Sequence, residues 1–257
     1  MEFNEILTGE ADDWIFNSLQ IENFSQWSKS RLRHWFYHAR ENHDKIDGDI
    51  FEFGVYKGGG AIAMALLLKK IGSNKKIYAF DSFSGFPEYH PNDDLSMFGK
   101  RPDLFNEKHI QKAQLCKEIA EWRTQERVNA SNISTSGDFS DVSLSWLSSR
   151  INKFGLDNII LIEGAFDKTV PKFFGEYSGS VFSANIDCDL YLGYSTTLPH
   201  VYQRSNVGSM IYLDEYYSLK FPGARIAVEE FLLDRREVAI QFPSEQNEFE
   251  RWAIVKK

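Results

Sequence analysis

Residues 49–81, "DIFEFGVYKGGGAIAMALLLKKIGSNKKIYAFD", constrain this chain more than any other stretch. "DIFEFGV" is a short apolar run with a breaker just behind it, the pattern of a buried strand. A glycine turn follows and feeds "GAIAMALLLKKIG", an apolar helix with Gly72 placed as its stop. "KKIYAFD" is the next strand. A strand, a tight turn, a helix and another strand imply parallel strands with the helix covering one face.

The alternation continues downstream. A helix is expected over 140–154, a strand at "NIILIEG", a helix around 167–176 and a strand at "SVFSANID". A helix over 193–204, the strand "GSMIYLD" and a helix over about 221–234 follow. The chain ends in "EVAIQF", a polar turn and "RWAIVKK", two strands so close that they must pair antiparallel. The expected fold is therefore α/β, with a seven-stranded, mostly parallel sheet, an antiparallel C-terminal hairpin and helices on both faces. It fits a Rossmann-like methyltransferase fold better than the all-parallel dehydrogenase fold. That domain is assigned to 48–257, behind an N-terminal helical cap at 1–47 whose helical spacing shows in Trp14, Leu19, Trp27, Leu32, Trp35 and Phe36. Residues 88–137 break the rhythm with polar loop, one helix-like piece and a turn-rich stretch. Such a length is too great for a plain connection and reads as a lid-like insertion over a site.

Composition removes several classes of function. A net charge of −8 argues against nucleic acid as a partner. The basic stretch "KSRLRHWFYHAR" at 29–40 is expected to be an amphipathic helix with a charged outer face. The longest apolar run, residues 61–68, is far shorter than the roughly 20 residues of a membrane span. The N-terminus lacks the basic start and apolar core of a signal peptide, and Cys116 and Cys188 are too few for a disulfide framework. A cytoplasmic location fits both.

The glycine turn is chemically specific in its context. Its spacing is neither G-x-G-x-x-G nor G-K-[ST], so dinucleotide and P-loop sites lose ground. Glu52, two residues before Gly54, would repel a pyrophosphate but suits a cationic ligand, and Asp81 ends the second strand where a ribose hydroxyl can be bound. A nucleoside without phosphates that carries positive charge meets these demands. S-adenosylmethionine is such a ligand.

Four more carboxylates are expected at strand ends: Asp187 and Asp189 in "NIDCDLY", and Asp214 and Glu215 in "MIYLDEYY". Converging in a cleft, they need a cation, and an all-oxygen donor set favours Mg2+, with Mn2+ or Ca2+ as alternatives. As helix caps they would have a purely structural role. Alternation along an extended segment puts Asp187 and Asp189 on one face, with Cys188 turned toward packing. A nucleophilic Cys188 is disfavoured, because flanking aspartates raise a thiol's pKa. A metal and a carboxylate base together suit methyl transfer to an alcohol, whose hydroxyl must lose its proton as it attacks.

These motifs resemble the metal-dependent macrocin-type O-methyltransferases, which methylate sugar hydroxyls in macrolide and aminocoumarin biosynthesis. The resemblance runs in order through "GDIFEFGVYKGGGAIAM", "YAFDSFSGFPE", "FGLDNIILIEGAFDKTVP", "ANIDCDLYLGYSTTLPHVY", "GSMIYLDEYY" and "FPGARIAVEEF". It implies that Glu52, Gly54, Tyr56, Gly58 and Gly59 hold the methionine portion of S-adenosylmethionine and that Asp81 holds its ribose. Ser82, Gly164, Ala165 and Phe166 would lie near the adenine. Asp187, Asp214 and Glu215 would bind Mg2+, and Asp189 would be the general base. Cys188 stands where the family usually has glycine, and Asp214-Glu215 where it usually has two aspartates. The implied acceptor is a sugar hydroxyl of a natural product, nucleotide sugar or glycan, and a homodimer through the N-terminal helices is expected. Alternatives are a catechol or phenol acceptor, or a non-catalytic binding subunit that keeps the fold.

Overall fold

The computed structural model describes residues 31–86, 88–243 and 249–257. Most of the expected N-terminal cap, including Trp14, Leu19, Trp27 and the proposed dimer helices, lies outside them. The chain enters through α1 (Arg33–Asn42), β1 (Asp49–Phe53), α2 (Gly59–Lys70) and β2 (Ile77–Asp81). The insertion contributes a 3-10 turn (Pro91–Asp93), α3 (Met97–Lys100) and α4 (Glu107–Thr124). Regular alternation resumes with α5 (Leu144–Lys153), β3 (Ile159–Glu163), α6 (Phe166–Glu176), β4 (Val181–Ile186), α7 (Tyr191–Arg204), β5 (Ser205–Leu213) and α8 (Pro222–Leu232). Two strands close the chain, β6 (Ile240–Gln241) and β7 (Trp252–Val255).

The sheet order is β3-β2-β1-β4-β5-β7-β6. Strands β1 to β5 pair in parallel, while β7 lies antiparallel to both β5 and β6. The strand expected at "EVAIQF" shrinks to two residues, because on the outer edge only Ile240 and Gln241 find partners on β7. Strand order reverses between β1 and β4, and in open α/β sheets the crevice beyond that point receives ligands.

Period-2 alternation sends successive strand residues to opposite faces. Ile50, Ile77, Ala79 and Tyr212 pack with α1, α2 and α5. On the other face Phe51, Phe53, Phe80, Ile211 and Leu213 meet α6, α7 and α8. Helix α2 is buried at every position from Gly60 to Leu68, so its apolar character is continuous rather than striped. The insertion carries its own small cores. Phe98, Phe105 and Ala113 pack on Ile226, while Ala120, Val128, Ala130 and Ile133 pack on Leu190 and Phe221. Asp93 pins it further, accepting hydrogen bonds from the backbone N–H groups of Tyr191 (2.8 Å) and His90 (2.9 Å). Among the described residues no helix is long and apolar enough to cross a membrane.

Candidate active site

A cavity of about 1050 Å³ opens beyond the C-terminal ends of β1, β4 and β5, and the insertion forms part of its wall. Every sequence-predicted site residue lines it except Gly58, which caps the start of α2.

Register builds its floor. Glu52 on β1 stands beside Asn185 on β4, which stands beside Tyr212 on β5. Neighbouring parallel strands lie about 5 Å apart, so these side chains meet on one face. Asn185 Nδ2 donates to Glu52 Oε1 at 3.0 Å. Glu52 Oε2 and Asn185 Oδ1 are buried acceptors with no hydrogen-bond partner among the described residues. Burial pushes the Glu52 carboxyl up to about 7, although the Asn185 hydrogen bond pulls the other way.

The glycines of the first turn serve the protein's own atoms more than the sequence suggested. A Cβ on Gly54 would lie 1.9 Å from the carbonyl oxygen of Asp187, so glycine lets β1 and β4 close at their ends. A Cβ on Gly60 would lie 1.9 Å from Glu52 Oε1. Gly60 therefore makes room for the buried carboxylate. Asp81 also does more than expected: its Oδ2 accepts from the N–H groups of Val55 (2.7 Å) and Tyr56 (2.8 Å), and its Oδ1 from Phe83 (2.8 Å). The carboxylate thus shapes the turn while keeping one of its roughly four lone-pair sites, on Oδ1, unused. Beside it, the Ser82 hydroxyl donates to Gly85 O at 2.6 Å, and Gly164 N–H donates to Asp81 O at 2.9 Å. Ala165 caps α6, which Phe166 begins.

Asp187 and Asp214 each follow the last residue of a strand, and those residues, Ile186 and Leu213, are in register. The Asp214 N–H donates to Ile186 O at 3.1 Å and the Asp187 N–H to Phe53 O at 2.8 Å, which holds the two aspartates side by side. Tyr194 on α7 braces the same corner: its hydroxyl donates to Ile186 O at 2.7 Å and accepts from Glu215 N–H at 3.0 Å. Oxygens of Asp187, Asp214 and Glu215 come within 4.8 Å of one another. Asp189 is buried close by, but with φ +58° it is left-handed, so the extended alternation ends before it. Cys188 packs in the core as expected, for a different reason: it sits where the chain turns out of the strand.

Burial, then Glu215, Asp187 and Asp214, hold the Asp189 carboxyl well above the ordinary range. Burial raises Asp187 likewise, against the pull of Arg31, and burial followed by Asp214 raises Glu215 to about 7. Burial, Asp189 and Asp187 push the Cys188 thiol up, the opposite of an activated nucleophile. Tyr56 and Phe139, also on the cavity wall, share the left-handed backbone of Asp189. Such conformations cost about 1–3 kcal/mol each and gather at functional sites.

The sequence reading placed the basic stretch 29–40 on a solvent-facing helix surface, and this is corrected at two residues. Arg33 is buried. Arg31 turns into the carboxylates, its Nη2 2.7 Å from Asp187 Oδ2 and its Nη1 2.6 Å from Asp214 Oδ1. No motif signals this, nor the roles of Asn185 and Tyr194. Only register and packing bring them to the site.

The donors fit a hard divalent cation: three carboxylates converge with no histidine or thiolate among them, and a guanidinium is already drawn in as a stand-in charge. They also fit a cationic ligand at Glu52, where two buried acceptors, Glu52 Oε2 and Asn185 Oδ1, lack donors among the described residues.

The sheet order and the cleft position are those of the Rossmann-like fold that the chain shares with its structural neighbours. CalS11, a calicheamicin methyltransferase, superposes with TM-score 0.61 at 19% identity, covering 99% of this chain and 96% of its own. The O-methyltransferase NovP gives 0.59 at 18%, covering 87% and 80%. The chain belongs to the macrocin O-methyltransferase (TylF) family, whose model matches residues 24–111 and 120–246. Mycinamicin III 3''-O-methyltransferase of Micromonospora griseorubida is 25% identical over 73% of this chain. The 8-demethyl-8-(2,3-dimethoxy-alpha-L-rhamnosyl)-tetracenomycin-C 4'-O-methyltransferase of Streptomyces olivaceus is 24% identical over 67%. The matches span 61% and 54% of those two relatives' lengths.

Proposed function

We propose that this chain is an S-adenosylmethionine- and Mg2+-dependent O-methyltransferase that methylates a sugar hydroxyl of a natural product, nucleotide sugar or glycan. The observation that carries the proposal is one cavity holding both the donor-hungry Glu52–Asn185 pair and the Asp187–Asp214–Glu215 cluster. Family membership and two curated relatives named for O-methylating tetracenomycin and mycinamicin compounds support the acceptor class.

Glu52 and Asn185 would accept hydrogen bonds from the cofactor's ammonium group, with Gly54, Tyr56, Gly58 and Gly59 offering backbone around them. Asp81 would use its remaining lone pair on Oδ1 for the ribose. Ser82 and the Gly164–Phe166 turn would border the adenine. Asp187, Asp214 and Glu215 would hold the metal, which would lower the pKa of an acceptor hydroxyl. Asp189 would take that hydroxyl's proton on its carboxylate. Burial and the neighbouring Glu215, Asp187 and Asp214 raise its carboxyl, and positive charge among them would offset the part due to those neighbours. Phe86, Ser134, Phe139 and Phe221 would meet the acceptor, and the insertion that carries Ser134 would act as a lid.

Asp189→Asn tests the assignment of the base. Calorimetry should record nearly unchanged S-adenosylmethionine binding, while turnover falls by about 10²-fold or more. Unimpaired turnover would remove Asp189 from that role. Activity in excess chelator would reject the metal, whereas loss with chelator and recovery with Mg2+ would support it.

A further inference from the structure

We propose that Arg31 is the carboxylate cluster's built-in counter-cation, so that its guanidinium and a divalent ion compete for Asp187 and Asp214. The proposal rests on the metal role given to that cluster. The two terminal nitrogens of Arg31 reach one oxygen of each aspartate, at 2.7 and 2.6 Å, so the fork spans the gap between two of the three proposed ligands. The contact to Asp187 is a charge-assisted hydrogen bond, one of the stronger kinds, and the contact to Asp214 is a close ion pair.

The arginine is placed there by the fold. The buried Tyr212 hydroxyl, two residues before Asp214 in the chain, donates to the carbonyl oxygen of Arg31. Leu32, Trp35 and Phe36 fix the following turn in the core. The backbone is therefore anchored at the site, while the side chain is more exposed than the carboxylates it meets: 45%, against 15% for Asp187 and 7% for Asp214.

Charge decides what this arrangement does. Three converging carboxylates, Asp214 buried and Asp187 and Glu215 half-buried, with the buried Asp189 beside them, are unfavourable without a positive partner. Arg251 stands 3.9 Å from Asp214 Oδ1 and Arg31 2.6 Å, so among the described residues Arg31 is the nearer counter-charge. A small divalent ion would need the same oxygens at roughly 2.0–2.1 Å and would repel a guanidinium held between them. Its arrival turns the arginine outward. In the metal-free protein the arm stands in, and it lowers apparent metal affinity by the fraction of molecules in which it occupies the site.

Mn2+ titration tests this without turnover, by calorimetry or by the paramagnetic resonance of free Mn2+. Wild type, Arg31→Gln, Arg31→Lys and Asp214→Asn are compared without cofactor or acceptor. Arg31→Gln should bind Mn2+ at least about tenfold more tightly than wild type, with Arg31→Lys between them because lysine keeps the charge and loses the fork. Metal-free Arg31→Gln should melt below wild type and gain more from saturating Mn2+. Equal or weaker Mn2+ binding by folded Arg31→Gln overturns the proposal, and if wild type binds Mn2+ and Asp214→Asn does not, the metal site itself stands. Absence of Mn2+ binding in wild type and Arg31→Gln alike removes the metal site and the proposal together. Should Arg31→Gln fail to fold, Arg31→Lys decides: tighter binding supports competition and unchanged binding overturns it.

Discussion

Glu52→Gln separates the electrostatics of this cavity from its packing. Glu52 is 2% exposed, and burial carries its carboxyl from an ordinary 4.5 to about 7. A folded-state value above the unfolded one means that the folded protein binds the proton more tightly. Stability is therefore fully present below the unfolded value and falls as pH rises through the window from 4.5 to 7. Glutamine keeps the acceptor for Asn185 Nδ2 and cannot ionise. Its new amide N–H can turn toward Asn185 Oδ1, which has no partner among the described residues. Without cofactor or metal, the variant should exceed wild type by about 1 kcal/mol at pH 5 and about 3 kcal/mol at pH 8. Urea unfolding across that range measures the difference. The same variant should bind S-adenosylmethionine about tenfold or more weakly at pH 8, since a hydrogen bond to a charged group is lost. Parallel stability profiles for variant and wild type would refute an ionisable, desolvated Glu52. Unchanged cofactor affinity would refute its role toward the ammonium group.

Other perturbations follow from the same geometry. Gly54→Ala puts a Cβ against the Asp187 carbonyl and strains a residue at φ +86°, so it should cost about 3 kcal/mol or more in thermal or denaturant unfolding. Gly60→Ala should destabilise wild type much more than an Glu52→Ala background, where the colliding carboxylate is gone; equal effects in both would argue against that collision. Asp93→Ala removes the acceptor for the Tyr191 N–H, which ties the insertion to the start of α7, and for the His90 N–H within the insertion. It should raise KM for the acceptor while leaving cofactor affinity nearly unchanged, as steady-state kinetics with each substrate varied would show.

Much of the architecture is legible in local pattern. Strand-helix alternation gives the parallel sheet, and the short C-terminal turn gives the antiparallel pairing, because both are consequences of periodicity and connection length. The three carboxylates assigned to the metal share one place because each follows a strand in a parallel sheet, which sequence position alone conveys. What escapes is whatever depends on register or on distant segments. Asn185 resembles any polar residue in "SVFSANID" until β4 is aligned on β1. Arg31 belongs to a basic helical stretch whose outward face is the ordinary expectation, and only the Tyr212 anchor and the path of the chain turn it inward. Likewise, the crowded turn needs glycine at 54 and 60 for contacts 133 and 8 residues away in sequence, which composition cannot distinguish from a ligand cradle.

The central claim, methyl transfer from S-adenosylmethionine to a sugar hydroxyl, is tested most directly by one labelled assay. Purified protein with Mg2+ and methyl-labelled S-adenosylmethionine is offered deoxysugar glycosides, nucleotide sugars and catechols, and the products are read by mass spectrometry. The account predicts label on a sugar oxygen of at least one glycoside or nucleotide sugar, lost in the Asp189→Asn variant. Label confined to catechols, or absent from every acceptor while the protein fails to bind S-adenosylmethionine, would contradict it.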